Sequence, residues 1–106
     1  MTILYNAVMI AKNQVFDALR MVMDPELHIN IVDLGLIYDV VIKGKEIKVI
    51  MTLTTPGCPL APVIDKLIKK ALSELKADSV AIELVWEPAW SVRRMSDEGK
   101  LQLGMI

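Results

Sequence analysis

Residues 36–54 read LIYDVVIKGKEIKVIMTLT, two runs rich in Ile, Val and Tyr on either side of Lys43-Gly44-Lys45. β-Branched and aromatic side chains suit a pleated, half-buried surface, and the central glycine supplies a turn, so the stretch predicts a β-hairpin. In the second strand Ile47, Val49, Met51 and Leu53 alternate with Glu46, Lys48, Ile50, Thr52 and Thr54. One face is therefore a core face and the other mixed, with Thr54 expected to close the strand on the mixed side.

Working outward, Thr55-Pro56-Gly57-Cys58-Pro59 must be a loop, because two prolines and a glycine cannot continue a ladder. A helix is expected next. Val63, Ile64, Leu67, Ile68, Ala71, Leu72 and Leu75 recur every three to four residues, opposite Asp65, Lys66, Lys69, Lys70 and Glu74. Pro59 or Pro62 fits its first turn, where a missing N–H costs nothing. A third strand over Ser79 to Glu87 would set Val80, Ile82, Leu84 and Trp86 on the core face. Strands joined through a helix are usually parallel with a right-handed crossover. Glu87-Pro88-Ala89-Trp90 ends that strand, and Ser96-Asp97-Glu98 carries the oxygens expected at the start of a short helix before Gly104.

Upstream, apolar residues at Val8, Met9, Val15, Phe16, Leu19, Val22 and Met23 predict a first helix that begins between Leu4 and Asn13. Asp24-Pro25 is its expected stop, since proline disfavours helical angles in the residue before it. An irregular passage through Asp33-Leu34-Gly35 leads into the hairpin. The fold class is α+β: helix, strand, strand, helix, strand and short helix, with a three-stranded mixed sheet and helices packed on one face. The strand order stays open. One domain is expected over residues 1–106, with a core over 12–96, an N-terminal extension over 1–11 and a short helix and tail over 97–106.

The chain has 106 residues and a net charge near −1. That size buries a core, and that charge offers no general field for nucleic acid. Apolar stretches fall well short of the roughly 20 residues of a membrane span, and residues 1–11 lack the basic start and cleavage site of a secretory signal. A cytoplasmic protein is expected, with neither nucleic acid nor membrane as partner. The single cysteine rules out an internal disulfide and suits a reducing compartment.

Cys58 is that cysteine, and it is expected just ahead of a helix. Unpaired N–H groups and the positive end of the helix dipole favour thiolate there. Gly57 allows close backbone approach, and Pro56 and Pro59 stiffen the loop. The competing reading is a small buried hydrophobe.

Four segments resemble one family: Asp24-Pro25-Glu26, Ile31 to Val40, Met51 to Pro59, and Trp86-Glu87-Pro88-Ala89-Trp90. In this order they look like the metal-sulfur cluster biosynthetic family, which includes PaaD-like proteins and accessory factors of the SUF system. The resemblance implies an accessory factor of iron-sulfur cluster assembly that matures or delivers clusters without turnover. Its reactive cysteine falls on Cys58, its acidic motif on Asp24 and Glu26, and its threonine-bearing strand end on Thr54 and Thr55, with Gly57 also lining the site. Trp90 and Arg94 are candidates for covering the site or meeting a partner, and Arg94 could pair with Asp24 or Glu26. Trp86 is expected to pack in the core.

Each acid also has a local reading, Asp24 as the stop of its helix and Glu26 as a solvated charge, while Asp33 would bond loop N–H groups before Gly35. His28 departs from the family pattern and inherits no ligand role.

Iron-sulfur clusters and structural zinc take about four ligands, and one chain supplies one thiolate. Iron or a cluster held through Cys58 would therefore be transient, completed by a homodimer, a small thiol, an assembly scaffold or a recipient protein. A metal-free adaptor for recipient proteins is the alternative. A thiol-dependent enzyme is a third reading, weakened because a cysteine nucleophile generally needs a base.

Overall fold

The hairpin forms where the alternation places it, in a computed structural model that describes residues 10–54 and 60–104. Strands β1 (Ile37–Lys43) and β2 (Glu46–Met51) pair antiparallel, with Ile42 opposite Ile47 and Lys43 opposite Glu46. Gly44, at φ +61°, makes the turn between them. Strand β3 (Ser79–Leu84) lies parallel to β2, from Glu46 beside Ser79 to Met51 beside Leu84. The order β1-β2-β3 puts β2 at the centre of the mixed sheet, the point left open by the sequence.

One face of this sheet builds the core. Val40, Ile47, Val49 and Met51 are buried, together with Val15 and Leu19 of helix α1 (Lys12–Leu19) and Ile64, Ile68 and Leu72 of helix α2 (Ala61–Leu72). The other face carries Lys48 and Glu83, whose charged ends meet at 2.7 Å. Pro62 sits in the first turn of α2, as its missing N–H allows. Only every fourth residue of α2 is fully covered, so the apolar face is narrower than its periodicity predicts; Val63 and Leu67 are exposed.

Three boundaries differ from the sequence reading. Helix α1 ends at Leu19, well before Asp24-Pro25, because the following backbone pairs elsewhere. Ile31 N–H donates to Val22 C=O at 3.0 Å and Asp24 N–H to Ile29 C=O at 2.9 Å, drawing residues 22–24 against 29–31. Met23 is accordingly exposed rather than on a helix face.

Strand β2 ends at Met51, not Thr54. The Thr52 N–H still donates to Leu36 C=O at 2.9 Å, one step past Ile37 opposite Met51, but the Leu36 N–H donates back to Ile31 C=O at 3.1 Å instead of returning the bond. Thr52, expected on the mixed face, is completely buried.

Strand β3 stops at Leu84 opposite the last residue of its partner, so Trp86 falls beyond the sheet and is 39% exposed instead of packing in the core.

Helix α3 (Asp97–Gln102) starts where Ser96-Asp97-Glu98 predicts. Ser96 Oγ accepts from Gly99 N–H at 3.0 Å, and Asp97 and Glu98 occupy the first turn near its positive end. Among the described residues no helix is long and apolar enough to cross a membrane.

Candidate functional site

The tripeptide Leu34-Gly35-Leu36, just before β1, is the place where three distant segments meet. Leu36 C=O accepts from Thr52 N–H, which ties down the exit of β2 two residues before Thr54. Leu34 C=O accepts from the indole Nε1–H of Trp90 at 2.6 Å, across 56 positions of sequence. Gly35, at φ +78°, lies so close to Arg94 that a Cβ would collide with the Arg94 carbonyl. Only glycine serves there, because both the backbone angle and the space exclude a side chain.

Thr54, Trp90 and Arg94 thus belong to one end of the sheet, where β1 begins and β2 and β3 finish. Trp90 packs against the core with its N–H satisfied, while Trp86, the one expected in the core, lies exposed past the sheet. The Arg94 guanidinium lies 4.6 Å from the centre of the Tyr38 ring. It makes no ion pair with Asp24 or Glu26.

The two acids are used locally. Asp24, 7% exposed, accepts from Glu26 N–H at 2.8 Å and Leu27 N–H at 2.9 Å through Oδ1, closing its own loop. Glu26 is exposed. The loop ends at His28, exposed at φ +58°, whose N–H donates to Asp24 C=O. Cys58, Thr55 and Gly57, the heart of the sequence expectation, lie outside the described residues with Pro56 and Pro59. In sequence Cys58 stands two positions before Leu60, which caps α2. Among the described residues no group of three His, Cys, Asp or Glu side chains could hold a metal ion.

Two features escaped the sequence reading. Asp33 does not bond its own loop N–H groups; its carboxylate accepts from Asn30 Nδ2 at 2.6 Å and Ser96 Oγ at 2.8 Å. Tyr38, whose hydroxyl donates to Pro88 C=O at 2.6 Å, shares a cleft with Arg93 and Arg94. The Asn30-to-Asp33 spacing and the Arg93-Arg94 pair were the available signals, but both needed a partner more than 50 residues away.

A small α+β domain that gathers loops at one end of a three-stranded mixed sheet is the class of protein defined here. The chain belongs to the iron-sulfur cluster assembly protein family, whose pattern matches residues 12–84. This is the kinship that the four motifs implied. It is 43% identical to the Fe-S protein maturation auxiliary factor YitW of Bacillus subtilis over 96 residues, 89% of this chain and 94% of that protein. It is 40% identical to an iron-sulfur cluster carrier protein of Synechocystis over 67 residues, 63% of this chain and 19% of that longer protein. The crystal structure of a domain of unknown function from Bacillus anthracis superposes with a TM-score of 0.84 at 39% identity, covering 90% of this chain and 92% of that one.

Proposed function

We propose that this protein is an accessory factor of iron-sulfur cluster assembly that takes iron or a cluster transiently on Cys58 and passes it to recipient proteins. The observation that carries this reading is the pairing of close similarity to a maturation factor with a single thiol per chain. A cluster needs about four ligands, so this chain cannot enclose one alone, and cargo shared with a second copy, a scaffold or a recipient is easily released. Similarity to a cluster carrier supports iron-sulfur cargo.

In this reading Thr54, Thr55 and Gly57 line the sulfur site, Asp24 and Glu26 stand nearby, and Trp90 and Arg94 cover it or meet the partner. The only histidine, His28, is held in the Asp24 loop, which gives no support to a histidine-activated thiol enzyme.

Anaerobic reconstitution with ferrous iron and sulfide tests the proposal, read by absorbance and iron content beside a measurement of mass. Wild type should retain iron and Cys58→Ala should not. Equal retention by both would refute a cargo role for Cys58. If neither retains iron and both support maturation of recipient enzymes equally, the protein is an adaptor.

A further inference from the structure

Arg93 and Arg94 end a one-turn 3-10 helix, Val92–Arg94, and border an open cleft of about 620 Å³ with Gly35, Tyr38 and Pro88. Arg94 is held at both ends. Its carbonyl rests against Gly35 and its N–H donates to Ser91 C=O at 3.0 Å, while its guanidinium lies over the Tyr38 ring. Tyr38 is itself fixed by its hydroxyl on Pro88.

All 13 Asp and Glu residues of the chain are among the described residues. Five of them form ion pairs, and none pairs with Arg93 or Arg94. Glu87 is adjacent to Pro88 in sequence and it too makes no ion pair with them. A guanidinium laid over a ring, with no acidic partner among the described residues, has less side-chain entropy to lose when an anion arrives. Its planar donors match a carboxylate in two parallel hydrogen bonds.

Val32 and Ile37 complete the cleft wall, which gives apolar surface beside the two charges. We infer that this cleft docks an acidic segment of a partner polypeptide, a carboxylate side chain next to an aliphatic one. The role of that partner rests on the proposed delivery function; the docking itself needs neither iron nor Cys58.

The test titrates the full chain with the capped peptide acetyl-Ala-Glu-Leu-Glu-Ala-amide, its Gln-for-Glu analogue and free glutarate, following backbone amide resonances. The Glu peptide should move Gly35, Tyr38, Arg93 and Arg94. Arg93→Glu should weaken it about tenfold, the size of one lost charge-assisted pair, and Arg94→Lys, which keeps charge but loses the planar fork, should weaken it measurably. Arg20→Glu, outside the cleft, and Cys58→Ala should leave binding unchanged, the latter separating this inference from the cargo role. Unchanged affinity in Arg93→Glu, equal binding of the Gln peptide, or shifts confined to another surface would overturn it. Glutarate binding as tightly as the peptide would make the cleft a small-anion site and overturn the polypeptide assignment. Arg93 carries the test by itself should Arg94 variants fail to fold.

Discussion

Ser96 is tied to Asp33 twice, its N–H donating to the Asp33 carbonyl at 2.8 Å and its hydroxyl to the Asp33 carboxylate at 2.8 Å. The same hydroxyl oxygen accepts from Gly99 N–H and so starts α3. One side chain thereby nucleates the last helix and fastens it to the loop before the sheet. Gly99 is buried against the Asp33 carbonyl, where a Cβ would come within 2.8 Å, so the helix seats closely on that loop.

Ser96→Ala removes the cap and the carboxylate link together. We expect a loss of about 2–4 kcal/mol, the sum of a missing cap and a missing charge-assisted hydrogen bond, measured as a lower urea midpoint. Asp33→Ala combined with it should cost less than the two changes summed, because they share one bond.

Gly35→Ala should destabilise by about 2 kcal/mol or more, since left-handed geometry disfavours any Cβ and this one meets backbone at Arg94. Thermal unfolding measures the loss. If the variant folds, the Tyr38 and Arg94 resonances should move, because the displaced segment carries the guanidinium off the ring.

The two tryptophans should respond unequally to the conservative change to phenylalanine. Trp90→Phe keeps an aromatic ring but orphans the Leu34 carbonyl, at a cost of about 1 kcal/mol. Trp86→Phe, at an exposed position past the sheet, should stay within about 0.5 kcal/mol of wild type. Urea unfolding followed by far-ultraviolet circular dichroism reads both without relying on tryptophan emission.

His28 occupies the left-handed region at φ +58°. His28→Val should destabilise by about 1–2 kcal/mol, because a β-branched side chain tolerates that geometry poorly. His28→Asn, which visits the region more readily, should change stability by no more than about 0.5 kcal/mol. Equal midpoints for the two variants would contradict this account of the Asp24 loop.

The hairpin, α2 and α3 could be read directly from the chain, because alternation, helical spacing and a serine cap are local properties: Ile47, Val49 and Met51 must share a face wherever β2 lies. Asp24 and Glu26 were nominated by motif, and Cys58 by its proline-flanked loop as well as by motif; neither places a residue, and Cys58 with Thr55 and Gly57 lies outside the described residues. What only the tertiary structure decided is set by contacts between distant segments. Trp86 reads as core if the alternation of β3 continues, yet β3 can pair no further than the end of β2, and β2 ends where Leu36 gives its N–H back to Ile31. Trp90 finds the Leu34 carbonyl, Arg94 the Tyr38 ring and Ser96 the Asp33 carboxylate. Each of these is a directional bond or stack between residues more than 50 positions apart, a separation over which periodicity along one strand or helix carries no information.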